Sequence, residues 1–211
     1  MVDGEVEAEV VERVRTQLRA AIPRSRYEHS RRVEEESRRL AARFGADQDV
    51  CALAGLLHDC ARDLPSDRLA TLWRRIEPDY ADARPVVLNS ALLHGPVGAL
   101  VASDEYGVHD SRVLRAIRLH TLGATDMTRE DKVVCLADYV EPGRRFPGVD
   151  SIRVLAHCDL DSALICALGA TIKHLVDAGA LIDVGVVLTR NALLHESNMR
   201  CKAGDTPASQ H

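Results

Sequence analysis

Residues 50–60 read Val-Cys-Ala-Leu-Ala-Gly-Leu-Leu-His-Asp-Cys, an aliphatic run with helical spacing that ends in an imidazole and a carboxylate, His58 and Asp59. Apart from those two groups the stretch reads as the core of a helical protein. Burying an unpaired carboxylate beside an imidazole costs several kcal/mol, so the pair needs compensating partners or a cation. The same anomaly recurs outward in both directions. Leu92-Leu93-His94 and Ile117-Arg118-Leu119-His120 each place a His against an apolar face, and Asp138 interrupts the run Val133 to Val140. Upstream, Tyr27-Glu28-His29-Ser30 sets one more His early in a long helix rich in Arg and Glu. Helical bundles present metal ligands to an interior site in this way, one or two from each helix. Four imidazoles and two carboxylates exceed the needs of one tetrahedral structural ion, and they favour borderline transition metals over calcium or magnesium.

Around these residues the apolar spacing is helical nearly throughout, as with Val6, Val10, Val14 and Leu18, and strand-like alternation is hard to find. The spacing predicts helices over 5–21, 24–44, 47–62, 66–76, 89–106, 110–121, 128–140, 150–156, 160–178 and 183–196, an all-α architecture. Pro23 can open a helix, Gly45 can close one, and Thr128 with Asp131 resembles a capping box. Glu141 to Gly148, EPGRRFPG, must be a loop. Periodicity is lost from about Asn198, which predicts a frayed tail.

The chain has 211 residues, enough for one domain with a sizeable core, and with aromatics at 3% that core must be aliphatic. A formal charge of −5 gives no general attraction to nucleic acid or anionic lipid, so a phosphate-bearing ligand must be held by local cations. The first ten residues carry acids where a targeting peptide carries bases, and no apolar run approaches a bilayer span of about 20 residues. The expectation is a soluble cytoplasmic protein with no membrane or nucleic-acid partner. Its six cysteines lie mostly in apolar runs without CxxC spacing and read as small hydrophobes rather than disulfides.

With these residues in view the chain resembles the HD-domain phosphohydrolases, which carry His, then His-Asp, then Asp on a helical bundle: here His29, His58-Asp59 and Asp138. More narrowly, LLHD followed by DLP, then LLHGPVGA, IRLHTLG and LADYVEPGRRFPGV are similar to the YqeK-type HD hydrolases, over about Arg24 to Asp183. That resemblance implies a metal-dependent enzyme that cleaves diadenosine tetraphosphate symmetrically to two ADP. It implies two metal ions, described in the family as iron, with manganese, nickel or zinc also compatible with His and Asp ligands. It assigns His29, His58, Asp59 and Asp138 to one ion, and His94 and His120 to the second, with Asp59 bridging. Two such ions can hold a hydroxide between them and neutralise charge at phosphorus.

Further expectations follow around this set. Arg62 and Asp63 follow Asp59 at helical spacing, Arg62 for phosphate and Asp63 for acid/base or supporting work. Thr121 and Gly123 offer a hydroxyl and backbone donors to phosphate, and the loop residues Arg144, Arg145 and Phe146 offer guanidiniums and a stacking ring. Related sequences carry Lys at Arg62 and Asp at Arg145, which makes Arg144 the firmer of the two loop arginines. The bland readings stand elsewhere. His109, His157, His174, His195 and His211 read as surface or packing residues, Trp73 and Tyr80 as packing, Glu141 as a helix end, and the Arg/Glu-rich face of the second helix as solvated ion pairs. The organisation expected is a helix over 1–22 packing on the core, an HD domain over 23–183, a helix over 184–197 and a disordered tail over 198–211. The face from Val6 to Leu18 either covers the core or forms a homodimer contact. Alternative functions are an HD nucleotidase or phosphodiesterase on another nucleotide, and a non-catalytic nucleotide-sensing module.

Overall fold

The structure is a computed structural model that describes residues 8–76 and 90–203; Val6, Tyr80 and the tail beyond 203 lie outside the described residues. It is all-α, with no strand among the described residues. The helices are α1 (Ala8–Ala21), α2 (Arg24–Phe44), α3 (Gln48–Leu57), α4 (Ser66–Ile76), α5 (Ser90–Asp104), α6 (Ser111–Leu119), α7 (Arg129–Val140), α8 (Val149–Ala156), α9 (Leu160–Asp177) and α10 (Val184–Ala203).

Hydrophobicity decides the layering. In α3 every residue from Val50 to Leu57 is buried, and in α7 the run Val133 to Ala137 is fully so. Helices apolar on all sides belong inside. Accordingly α3 packs against α1, α2, α6 and α7, while α7 packs against α2, α3, α6, α8 and α9. The outer helices are amphipathic: α6 buries Val113, Ala116 and Ile117 at helical spacing and turns its arginines outward. The face of α1 is spent on the core of its own chain, with Val14 and Leu18 fully buried and Val10 packed against them. No helix among the described residues is long and apolar enough to cross a membrane.

Two expected helices stop early for the same reason. α3 ends at Leu57 rather than at 62, and α6 at Leu119 rather than at 121. In each a histidine side chain takes a carbonyl that a continuing helix would use: His58 Nδ1 donates to Gly55 O and His120 Nδ1 to Ile117 O, both at 2.7 Å. After His58 the chain proceeds by tight turns, with Arg62 N–H donating to Asp59 O and Cys60 N–H to Leu57 O. Asp59, Arg62 and Asp63 are therefore placed by turns and not by a continuing helix.

At the other end, α10 continues to Ala203, past the expected fraying at 198. Arg200 in its last turn pairs with Asp161 of α9, and Lys132 binds the same carboxylate at 2.9 Å, so the segment has partners that apolar periodicity does not report. Pro23, Gly45 and the Thr128–Asp131 capping box act as the sequence suggests. Cys51, Cys60 and Cys135 are buried, whereas Cys158 and Cys166 are exposed, all five as free thiols.

Glycines set how closely these helices approach. A Cβ on Gly55 would stand 2.6 Å from Ser37 Oγ, 3.0 Å from Val33 O and 3.2 Å from the Glu34 Cα of α2. On Gly95 it would stand 2.9 Å from the Arg118 carbonyl of α6. Ser37 Oγ can rotate away, but the backbone atoms cannot. Gly55→Ala is therefore expected to cost about 1–3 kcal/mol by overpacking the α2–α3 contact. Urea denaturation reads it as a lower midpoint at unchanged slope, and an unchanged midpoint would refute the close-packing argument.

Candidate metal centre

Five helices deliver the sequence-selected ligands to one place. His29 comes from α2, His58 and Asp59 from the end of α3, His94 from α5, His120 from the end of α6 and Asp138 from α7. All four imidazoles and Asp59 are buried, and Asp138 is half-buried.

The hydrogen bonds fix which ring nitrogens carry protons. Gly55 O and Ile117 O can only accept, so His58 and His120 are protonated at Nδ1. His29 Nδ1 faces the Glu141 carboxylate at 3.1 Å and is its donor. In the neutral rings Nε2 of His29, His58 and His120 is then a lone pair. Yet Nε2 of His29 and Nε2 of His58 face each other at 3.2 Å, with Asp138 Oδ1 at 3.0 and 3.7 Å from them. Nε2 of His94 and of His120 approach to 2.9 Å. Acceptors converging on acceptors repel unless a cation stands among them. Two ligands each about 2.0–2.2 Å from one ion stand roughly 3–4 Å apart, so these separations fit metal coordination. Anchoring Nδ1 on a carbonyl or carboxylate is also how metal-binding histidines are held.

Asp59 divides its oxygens between the two groups. Its Oδ2 lies 3.8 and 3.6 Å from the His29 and His58 nitrogens, while its Oδ1 lies 3.2 and 3.9 Å from those of His94 and His120. Among the described residues two ligand groups stand out geometrically, His29/His58/Asp138 and His58/Asp59/His120.

The protonation states suit metal binding. Burial, with the neighbouring His94 and His58, pushes the His120 imidazole down to about 3, and burial lowers that of His58. Burial alone would raise the Asp59 carboxyl, but interaction with His58 and a hydrogen bond with His94 hold it well below the usual carboxylate range. Asp138 is likewise held down against its burial, by its close contact with His29, then by His58 and Arg144.

The remaining predicted residues divide. Arg62, Thr121, Arg144 and Phe146 line a cavity of about 260 Å³ together with His94, His120 and Asp138. Arg62 Nη1 lies 3.1 Å from His94 Nε2, Thr121 Oγ1 lies 3.2 Å from His120 Nε2, and Arg144 pairs with Asp138. The structure does not bring Arg145, Gly123 or Asp63 into this group. Arg145 turns back onto the carbonyls of Pro142 and Arg144 and lines a separate groove with Arg39 and His157. Gly123 spends its N–H on Leu119 O and, at φ +69°, passes so close to Thr189 that a Cβ would collide with it. Asp63 binds Arg26 Nε at 3.1 Å.

Two residues escaped the sequence reading. Arg26 ties Asp63 to Asp59, its Nη1 donating to Asp59 Oδ2 at 2.7 Å. Glu141 is buried, anchors His29 and accepts from Arg32 Nε at 2.6 Å and from the Gly143 N–H. Burial would raise its carboxyl, and those donors hold it below the ordinary range. Helical spacing carried the signal in both cases, since Arg26 precedes His29 by three residues and Glu141 follows Asp138 by three. Arg32 thus reaches across to the site, while Glu34 and Glu36 of the same helix are buried, so this face of α2 is more than a set of solvated ion pairs.

Residues 26–143 match the HD-domain family model. The chain is 38% identical to the symmetrical bis(5'-nucleosyl)-tetraphosphatase of Halalkalibacterium halodurans, over 81% of this chain and 90% of that protein. It is 38% identical to the protein of the same description in Bacillus subtilis, over 82% of this chain and 91% of that one. A solved structure from Clostridium acetobutylicum, described as a predicted HD superfamily hydrolase involved in NAD metabolism, superposes with a TM-score of 0.82 at 34% identity, covering 88% of this chain and 97% of that one. The chain therefore belongs to the HD-domain family, in the branch that these tetraphosphatases represent.

Proposed function

We propose that this protein hydrolyses diadenosine tetraphosphate symmetrically, adding one water across the central P–O–P bridge to give two ADP. The observation that carries the reading is the convergence of four Nε2 atoms and the divided carboxylate oxygens of Asp59 on one place, an arrangement suited to cations in a chain whose relatives are named for this reaction. His29, His58, Asp138 and Asp59 would hold one ion, and His94 and His120 a second, with Asp59 reaching both. Metal ions bound there, which we assign as iron with manganese, nickel or zinc as substitutes, supply Lewis acidity toward phosphate and lower the pKa of water.

The chain's own residues do the rest. Arg62, exposed at the mouth beside His94, and the Thr121 hydroxyl face the phosphate oxygens. Arg144 neutralises Asp138 from the loop and stands within the same cavity, where its fork suits a phosphate. Asp63 positions Arg26, and Arg26 positions Asp59. The substrate is a free nucleotide, met in the cytoplasm.

The direct test is hydrolysis of diadenosine tetraphosphate by protein reconstituted anaerobically with iron or manganese, with products resolved by chromatography. ADP as sole product, abolished in His58→Ala, is expected. Release of inorganic phosphate, or of AMP with ATP, would replace the reading with another HD phosphohydrolase, and nucleotide binding without turnover in metal-replete protein would replace it with a sensing module. A second expectation concerns Glu141. Glu141→Gln weakens the acceptor that orients His29 and should lower metal affinity by roughly 10–100-fold in competition with a chelator. Unchanged affinity would show that His29 is held without it.

A further inference from the structure

Thr189 stands in α10, well beyond the residues 26–143 that match the family model, and it is 1% exposed. A threonine inside a helix has an acceptor at hand in its own helix, the carbonyl four residues back. Thr71 in α4 and Thr171 in α9 take it, donating to Asp67 O at 2.8 Å and to Ala167 O at 3.2 Å. Thr189 sends its proton elsewhere. Its hydroxyl donates to Leu122 O at 2.8 Å, in the turn that follows α6 and 67 residues away along the chain.

That turn carries two groups of the site. α6 ends at Leu119, and the next residues are His120, a candidate metal ligand, and Thr121, whose Oγ1 lies 3.2 Å from His120 Nε2 and 3.4 Å from His94 Nε2 in the wall of the phosphate-facing cavity. His120 has an anchor inside α6, its Nδ1 on Ile117 O. Thr121 is placed by the path of the chain from His120 to Gly123, and α10 holds that path at its far end. Gly123, at φ +69°, has room only for hydrogen, because a Cβ there would stand 2.4 Å from Thr189 Cγ2 and 2.9 Å from Thr189 Oγ1. One helical turn before Thr189, a Cβ on Gly185 would meet Leu122 Cβ at 3.6 Å. One side chain thus grips the Leu122 carbonyl with its hydroxyl and backs Gly123 with its methyl.

We propose that Thr189 is a positioning residue: through Leu122 O and Gly123 it sets the turn after α6, and so holds the Thr121 hydroxyl toward the phosphate of the substrate. This rests on the function proposed above and deepens it, since it makes the last helix of the chain part of the phosphate site.

A double-mutant cycle on the metal-loaded full chain, read by calorimetry with inorganic diphosphate, tests the coupling without turnover. Thr121→Val is expected to weaken diphosphate binding at least about tenfold, the loss of one hydrogen bond to a charged group. Thr189→Val keeps the volume and removes the hydroxyl, and it should weaken binding about three- to tenfold although Thr189 does not line the cavity. The double variant is expected to bind no more weakly than Thr121→Val alone, because the second change acts only through the group already removed. Thr189→Ser restores the hydroxyl and should return to within about twofold of the wild type. Metal affinity in competition with a chelator should be the same in Thr189→Val as in the wild type, since Ile117 O anchors His120 independently. Thr189→Ala replaces Thr189→Val in the cycle if the latter does not fold. Additive losses, unchanged diphosphate affinity in either single variant, a loss in Thr189→Ser as deep as in Thr189→Val, or a fall in metal affinity overturns the proposal. It fails separately from the reading it rests on. Coupled threonines in protein that leaves diadenosine tetraphosphate intact remove the hydrolase and keep the positioning role, while hydrolysis to ADP with additive losses does the reverse.

Discussion

The structure turns on four imidazoles and two carboxylates that converge as ligands converge on a cation. Nε2 atoms of His29 and His58, and of His94 and His120, face one another at hydrogen-bond distance with two carboxylates among them. Three of the rings, His29, His58 and His120, are committed by what their other nitrogen donates to, and the carbonyls of Gly55 and Ile117 leave no choice of tautomer for the last two. The same bonds terminate α3 and α6. One local event, a histidine taking the carbonyl three residues back, thus ends the helix, orients the ring and aims the lone pair. Fold and site are specified by the same hydrogen bonds.

Bringing five helices so close depends on what is missing between them. Gly55 lets α3 lie against the backbone of α2, and Gly95 lets α5 lie against that of α6, so that His58 meets His29 and His94 meets His120. Around them the supporting charges are themselves arranged in chains. Asp63 holds Arg26, which holds Asp59, while Arg32 holds Glu141, which holds His29. Buried carboxylates of this kind are tolerable only because each has a guanidinium or backbone donor on it. The supporting arginines therefore do for the acids what the helix-end carbonyls do for the imidazoles.

Much of this was legible in the residue order, and the limit of legibility has a physical form. Helical periodicity gave the all-α fold and the interior helices, because burial is written into spacing. The candidate ligands were visible because a polar group in an aliphatic run is costly and needs a reason. What stayed hidden depends on partners far along the chain. The true ends of α3 and α6 reflect side-chain competition for a carbonyl, and the persistence of α10 to Ala203 reflects Arg200 meeting Asp161. Gly123 and Arg145 looked like phosphate contacts by sequence proximity, yet the first spends its N–H within its own turn and the second points to the other face of its loop. Arg26 and Glu141 sat at readable helical offsets from ligands, but an Arg among arginines and a Glu before a proline carry no anomaly of their own.

The Pro/Gly-rich loop after α7 shows how irregular chain can still position chemistry. Its composition marks it as non-helical, and a loop left to itself would place Arg144 and Phe146 nowhere in particular. Here Arg153 of α8 donates to the carbonyls of Val140, Glu141 and Arg144, and Glu141 accepts from the Gly143 N–H. The loop is pinned from outside by one guanidinium and from inside by the carboxylate that also orients His29. Its arginine is thereby fixed over Asp138, and its phenylalanine lines the same cavity. In a chain of net charge −5 the general field does not favour an anion, so the proposed phosphate substrate depends on guanidiniums fixed this way beside the candidate metal ligands.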